Sequence, residues 1–384
     1  MRISLIESDK IPDLQAGIRE MASQGVGSIL LLACDDNGWS DNDLTPVIKS
    51  AGVPVLGGTF PQVIHAANNY QRGCVLIGFD QKLEYTLIEG LSDPDVNYDI
   101  ALQALPESWF EMTENTWMVW VDGLASRIAE MVEALFFNLG LEHNYIGGGA
   151  GSLSFIQKPC LITPEGLRQD AALLIRLPVE SALGVGHGWV PISEPLKVTE
   201  SERNRIDTLE WQPAFSVYRP LVEEYSGQLF QNDNFFDIAK AYPLGFSRLD
   251  SDLVVRDPLM CHGESMICVG EVAEGSFLRV LHGTPESLIA AASEVRDAAE
   301  SAFALKSSEP PHLACLIDCI SRVLFLEDAI QEELAVLSRG LPLFGAFTLG
   351  EIANNGQEYL EFYNKTAVLG LLSDEKEQPG LEVK

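Results

Sequence analysis

Basic residues are scarce in this sequence. Its 384 residues include 25 lysines and arginines against 56 aspartates and glutamates, which gives a formal net charge of −31. A chain this negative repels phosphate backbones and anionic lipid surfaces. We therefore expect neither nucleic acid nor a membrane as its partner.

Long hydrophobic runs and targeting signals are also missing. No apolar run reaches the roughly 18 residues that a membrane-spanning helix needs. Met1–Lys10 lacks the basic-then-apolar pattern of a secretory signal, so we expect a cytoplasmic protein. The seven cysteines are an odd number and lie mostly in apolar runs, which indicates buried free thiols.

Several cofactor motifs are absent as well. The chain has no Gly-Lys-Ser/Thr phosphate loop, and the glycines of Gly147–Gly151 lack the spacing and the following helix of a dinucleotide fingerprint. No Cys-x-x-Cys-His occurs, which excludes covalent c-type haem. Noncovalent haem stays open, because it needs only one axial side chain and an apolar pocket.

What the sequence does contain is a pattern that occurs three times. It begins with an apolar run that ends near an aspartate: Ser28–Asp35, Trp117–Gly123 and His312–Cys319. A helix-like stretch follows, and then an apolar run with a glycine turn: Val53–Phe60, Asn144–Gly151 and Leu341–Glu351. A returning apolar run completes each copy: Gly73–Phe79, Ala171–Leu177 and Thr366–Leu372. The pattern predicts an α/β fold with mixed sheets, built from repeated strand–helix–strand units with glycine-rich turns in two pseudo-similar halves.

The division between these halves is predicted near Trp211–Pro213. The domains would then cover residues 1–211 and 212–372, followed by a charged tail at 373–384. Within the second domain, Ser265–Glu271 and Ser276–Leu281 flank an Ala-Glu-Gly turn, which predicts a β-hairpin.

The third copy carries the best candidates for a ligand site. Cys319 and Arg322 lie where a strand ends and a helix begins, at the edge of the sheet where ligands bind. Arg322 suits a polar ligand, and Cys319 is a possible thiolate nucleophile for which the sequence supplies no histidine partner. Gly350 and Glu351 follow the third glycine turn. Glu351 would hold a ligand amine, pair with Arg322, or be a solvated turn residue.

His187 is the best candidate for a metal ligand. It has a glycine on each side and Trp189 two residues later, which leaves room for a planar group. The alternative is a histidine that is hydrogen-bonded within an ordered loop.

Taken together and in order, several stretches resemble the FIST family, which pairs an N-terminal with a C-terminal FIST domain. The stretches are Val55–Gly58, Tyr145–Gly151, His187–Ile192, Leu196–Thr199, Cys319–Arg322, Pro342–Glu351 and Phe362–Thr366. The resemblance covers nearly the whole chain.

The resemblance implies a sensory module rather than an enzyme. FIST proteins are thought to bind small ligands and to relay occupancy to a signalling partner, here one that acts in trans. Stand-alone members of similar length include bacterial haem proteins that sense nitric oxide and regulate a histidine kinase. This subgroup is the leading specific hypothesis, and it allows a homo-oligomer.

Under this hypothesis, noncovalent haem would contact His187, Trp189, Gly148 and Gly149, with His187 on the iron. These four residues are chosen from local chemistry, since the family's axial ligand cannot be carried over to a position of this chain. A second ligand set is Cys319, Arg322, Gly350 and Glu351. Two alternatives remain: an amino-acid-like metabolite held by Arg322 and Glu351, and a thiol-dependent enzyme that uses Cys319.

Overall fold

A computed structural model of the protein describes residues 1–110, 116–231, 234–247, 253–354 and 359–375. The α-helices are α1 (Ile11–Ser23), α2 (Asp41–Lys49), α3 (Tyr98–Gln103), α4 (Glu107–Phe110), α5 (Ile128–Leu139), α6 (Ala214–Ser226), α7 (Phe235–Ala239), α8 (Pro285–Lys306), α9 (Ile320–Leu326) and α10 (Ile330–Ser338). The strands up to residue 186 are β1 (Arg2–Ile6), β2 (Ser28–Cys34), β3 (Val55–Phe60), β4 (Gln62–His65), β5 (Asn68–Tyr70), β6 (Cys74–Phe79), β7 (Glu84–Glu89), β8 (Thr116–Asp122), β9 (Asn144–Ala150), β10 (Leu161–Thr163), β11 (Gly166–Arg168), β12 (Ala171–Leu177) and β13 (Val179–Gly186). The remaining strands are β14 (Val190–Pro191), β15 (Leu196–Glu202), β16 (Arg205–Leu209), β17 (Gln212–Pro213), β18 (Leu244–Phe246), β19 (Val254–Arg256), β20 (Pro258–His262), β21 (Ser265–Cys268), β22 (Phe277–His282), β23 (Leu313–Cys319), β24 (Leu343–Thr348), β25 (Glu351–Asn354), β26 (Leu360–Tyr363) and β27 (Ala367–Glu375).

Three six-stranded sheets in the described part of the chain follow one plan. Their strand orders are β1-β6-β2-β3-β10-β11, β7-β12-β8-β9-β25-β26 and β13-β27-β23-β24-β4-β5. In each sheet the third and fourth strands are parallel, as in β2 and β3, and the other neighbours are antiparallel. This arrangement confirms the prediction of an α/β fold with mixed sheets built from repeated strand–helix–strand units.

The three units exchange their hairpins in a closed cycle. The first unit contributes β4 and β5 to the third sheet, where β4 pairs with β24. The second unit contributes β10 and β11 to the first sheet, and the third contributes β25 and β26 to the second. Each of these three sheets is therefore completed by strands from another unit.

The parallel strands have alternating side chains that enter two separate cores. Leu30, Trp120 and Ile317 lie in one central core that all three sheets share. The intervening residues, such as Ile29 and Leu31, pack under helices on the outside of their own sheet. Because both faces are covered, β2, β8 and β23 are buried along their whole length and read as continuous apolar runs.

Three glycines that the sequence analysis assigned to turns lie inside strands instead. A Cβ atom at Gly57, Gly147 or Gly345 would lie 2.0, 1.8 or 1.8 Å from the facing carbonyl oxygen of the parallel neighbour. Glycine is required there because the two backbones approach too closely for any side chain. Gly350, with φ +89°, does occupy a turn, between β24 and β25.

Between β13 and α8 the chain builds a further sheet from residues 190–282, which we call the inserted sheet. Its main order is β19-β18-β22-β15-β16-β21-β20. The predicted hairpin between β21 and β22 is wrong, because β15 and β16 pair between those two strands. The predicted domain boundary at residue 211 falls in the turn between β16 and β17, and the domain limits stay a prediction.

The helices are short or amphipathic. Within the described residues, none combines the length and the apolar character that crossing a membrane requires.

We expect Gly147→Ala to destabilise the protein by about 3 kcal/mol, because its Cβ would push two paired strands apart. Gly340→Ala is the matched control, since a Cβ at Gly340 would meet no atom within 4 Å and suffers only from its φ of +82°. The measurement is the urea unfolding midpoint. Equal shifts in the two variants would contradict the close-approach explanation.

A candidate ligand site between the third unit and the inserted sheet

A cavity of about 320 Å³ lies where the second unit, the third unit and the inserted sheet meet. Its volume falls at the lower end of the roughly 300–1,000 Å³ that is typical of small-molecule sites. Its walls come from the second unit at Gly123–Ser126, Leu153 and Phe155, from the third unit at Cys319–Ser321, Leu324, Leu349, Gly350 and Asn364, and from the inserted sheet at Arg203, Asn204, Phe236, Asp257, Leu259 and 268–271.

Two of the predicted ligand residues lie together on this wall. Cys319 ends β23 and caps α9, so it sits at the carboxyl end of a parallel strand. Gly350 lies in the turn after the neighbouring parallel strand, β24. The carboxyl ends of two neighbouring parallel strands thus bring Cys319 and Gly350 to one cavity.

Asn364 and Asp257 supply polar atoms without partners. The Asn364 side chain is 1 % exposed, and neither its Oδ1 nor its Nδ2 has a hydrogen-bond partner in the described part of the chain. Asp257 is 3 % exposed, and its Oδ1 is likewise unpartnered there. An unsatisfied buried polar group costs about 1–3 kcal/mol. These atoms are the ones that a bound ligand would satisfy.

A fully buried lysine, Lys365, joins this wall to the third unit. Its Nζ lies 3.1 Å from Asp257 Oδ2, donates to the Lys240 carbonyl at 2.9 Å and lies 4.8 Å from the centroid of the Trp189 ring. Its own carbonyl accepts hydrogen bonds from Arg322 Nη1 and Trp189 Nε1, both at 3.2 Å. Lys365 therefore joins the inserted sheet to the three strand–helix–strand units, which we call the body. It does so through both its side chain and its backbone.

Arg322 is fully buried and does not line the cavity. Its guanidinium pairs with Glu333 and lies 3.3 Å from Asp318 Oδ1. It also donates to the carbonyls of His187 at 2.6 Å and Leu288 at 3.3 Å. Those two residues lie on the chain segments that enter and leave the inserted sheet, so Arg322 fixes both connections.

The four residues predicted to contact haem lie in two places. Gly148 and Gly149 belong to β9 and pack against the Gly350 turn, where Gly149 N donates to Gly350 O at 2.8 Å. His187 Nδ1 accepts from Trp189 N at 3.0 Å, and Trp189 is buried against Lys365. Neither His187 nor Trp189 lines the cavity. In the ranges that the structure describes, no three histidine, cysteine, aspartate or glutamate side chains form a metal-ligand cluster.

Glu351 is fully buried rather than a solvated turn residue. Its carboxylate accepts from Thr348 Oγ1 at 3.1 Å and from Thr366 N at 3.3 Å. Burial, reinforced by the charge of Asp318, raises the pKa of Glu351 well above its usual range. Burial also raises the pKa of the Cys319 thiol to about 12, so the thiol is protonated at neutral pH.

Sequence reasoning missed Asp257, Asn364 and Lys365. Asn364 and Lys365 stood only within a family motif, although the run of three polar residues that precedes the buried strand β27 is a signal. Asp257 gave no local signal, because its partner is more than a hundred residues away in the chain.

We expect Glu351→Gln to remove part of the pH dependence of stability. The folded protein keeps this proton to higher pH than the unfolded chain, so wild-type stability falls as pH rises from the ordinary value of 4.5 through the raised folded pKa. As pH rises above 4.5, the free energy of unfolding should therefore shift in favour of the variant relative to wild type, as measured by urea denaturation.

Glu333→Gln serves as the contrasting variant. It leaves the buried Arg322 guanidinium without its main partner, and we expect a loss of about 3–5 kcal/mol. A Glu351→Gln variant that loses as much stability, with the same loss at every pH, would show that Glu351 is ionised in the folded protein.

Comparison with protein-family models gives two matches. The FIST N domain model matches residues 29–212 and the FIST C domain model matches residues 214–354. No curated protein matches the chain. The two models follow one another in the family's order and together cover most of the sequence. The chain therefore belongs to the FIST family of signal-sensing domains.

Proposed function

We propose that this protein is a sensor that binds a small polar metabolite of amino-acid-like chemistry in the 320 Å³ cavity. The observation that carries the proposal is the Asn364 side chain, which is buried on the cavity wall with both polar ends unpartnered in the described part of the chain. Buried amides are normally hydrogen-bonded, so this one favours a ligand.

The unpartnered atoms define what the ligand carries. Asn364 Nδ2 suits a carboxylate or carbonyl oxygen, while Asn364 Oδ1 and Asp257 Oδ1 suit an ammonium or amide N–H. Burial raises the pKa of Asp257, and the Lys365 ammonium opposes that shift. Phe155 and Phe236 on the wall supply apolar surface for a side chain. In this proposal Asn364 and Asp257 bind the ligand's carboxylate and amine. Arg322 and Glu351, which the sequence suggested for these roles, do not.

The position of the cavity supports a sensing role. A ligand changes a conformational equilibrium only if it binds the two states unequally. Here the walls belong both to the inserted sheet and to the body, so a ligand that bridges them favours one relative arrangement. We propose that this arrangement is read by a signalling protein in trans, of which a histidine kinase is one candidate. The cytoplasmic location and a homo-oligomeric state stay predictions.

The haem and nitric-oxide hypothesis requires a side chain on the cavity wall that can coordinate the haem iron. No histidine of the described residues lines the cavity. The two thiols on its wall, Cys268 and Cys319, have pKa values that burial raises to about 12, so neither is a ready thiolate ligand at neutral pH. The same protonation disfavours a nucleophilic role for Cys319. The cavity therefore favours a small polar ligand and binding without turnover.

We expect Asn364→Leu to weaken metabolite binding at least about tenfold without lowering stability, because it removes an unpaired buried amide. Isothermal calorimetry with the free amino acids and their N-acyl and amide derivatives measures affinity, and urea denaturation measures stability. Haem is titrated in parallel and followed by absorption.

Asn354→Leu is the matched control. Asn354 is equally buried, but its side chain accepts from Tyr145 N at 2.9 Å and donates to His143 O at 2.7 Å. This variant should lose stability and keep its affinity. The proposal fails if no compound in the set binds, or if Asn364→Leu and Asn354→Leu behave alike. A saturable, equimolar Soret band would favour haem instead.

A further inference from the structure

A second and larger cavity lies beside the ligand site. It has a volume of about 880 Å³ and runs between α5 of the second unit and the inserted sheet. We call it the α5 groove. It shares Arg203 and Glu271 with the smaller cavity, so these two side chains form a common wall.

One side of the α5 groove is an exposed helix face. Glu130, Glu133 and Phe137 follow one another at spacings of three and four residues on α5, and all three are exposed. The Phe137 side chain is 70 % exposed. Phe246 and Tyr359 line the groove as well. Together these aromatic side chains give one concave surface an apolar edge, and an exposed apolar patch rimmed by polar residues marks a protein-binding site.

The groove is also acidic. Its charged residues are Glu130, Glu133, Glu271, Glu274, Glu361, Arg203 and Arg256. Arg256 is not available to neutralise the exposed glutamates, since it is buried, lies 3.8 Å from Glu361 and donates to the Phe362 carbonyl. Burial raises the pKa of Glu271 and the charge of Glu130 raises it further, while Arg203 opposes the shift. Glu130 itself pairs with Arg127 at 2.6 Å, so Glu133 and Glu274 are the acidic side chains best placed to meet a partner.

We propose that the α5 groove binds a basic amphipathic helix of a partner protein. Lysine or arginine side chains would pair with Glu133 and Glu274, while the apolar face would cover Phe137. Charge selects this occupant over the alternatives. A chain with a net charge of −31 offers a poor match to its own acidic groove, and phosphate-rich surfaces are repelled.

The common wall links the groove to the smaller cavity. A helix in the groove and a ligand in the cavity would both contact Arg203 and Glu271. Occupancy of one site then changes affinity at the other, and by the same factor in both directions. This coupling rests on the proposed sensing function, whereas the docking of a basic helix does not.

The test measures fluorescence anisotropy of a labelled leucine–lysine amphipathic peptide of about 14 residues on the full chain. Glu133→Lys with Glu274→Lys reverses charge inside the groove. Glu20→Lys with Glu332→Lys makes the same change in net charge at two exposed residues outside it. We expect the groove pair to weaken binding roughly tenfold more than the control pair. Phe137→Ser should weaken it with no change in thermal stability.

Equal weakening by both charge pairs, or no peptide binding by wild type, would overturn the proposal. Asn364→Leu separates this failure from failure of the sensing function. In the absence of metabolite it should bind the peptide like wild type, because Asn364 does not line the groove. Metabolite binding without peptide binding would count against the groove alone.

Discussion

The buried ammonium of Lys365 is the interaction on which the candidate site depends. Burying such a charge costs several kcal/mol unless it is paired and hydrogen-bonded. Asp257, the Lys240 carbonyl and the Trp189 ring provide that compensation. Asp257 joins two strands of the inserted sheet, and Lys240 ends the helix α7 in the same segment of the chain. The ammonium is therefore satisfied only when the inserted sheet is seated on the body. The same contact brings Asp257 Oδ1, which has no partner among the described residues, to the cavity. The Lys365–Asp257 ion pair therefore positions this part of the wall and leaves one carboxylate oxygen free for a ligand.

Arg322 plays the complementary part at the connections. Its guanidinium donates to a carbonyl on each of the two segments that link the inserted sheet to the third unit. Any rotation of the inserted sheet would therefore have these two segments as its hinge. Close by, Asp318 and Glu351 have pKa values that burial raises well above their usual range. Such raised pKa values favour the neutral carboxyl, because ionising both groups would put more anions than cations around Arg322. Burying such groups costs free energy unless each is paired or hydrogen-bonded.

Much of the fold could be predicted from local patterns. The fully buried strands β2, β8 and β23 are apolar runs, and the acidic residues in the first turns of α2 and α8 are local signals of a helix start. The hairpin exchange could not be predicted, because strands of three or four residues carry little pattern and their partners lie far along the chain. The glycines of β9 were assigned to turns because composition does not distinguish a bend from a close backbone approach. For the candidate site, the sequence could place Cys319 and Gly350 near the carboxyl ends of neighbouring strands, whereas Asp257 reaches the cavity only through tertiary structure.

The closed cycle of hairpins has a consequence for synthesis of the chain. After β3 leaves the ribosome, about a hundred more residues are synthesised before its partner β10. The partner of β4 is β24, which is synthesised near the end of the chain. During this time apolar strands present unpaired backbone groups, which are templates for aggregation. The nascent chain must therefore stay partly open until the third unit emerges. Those edges are therefore open to pairing with other chains for most of translation.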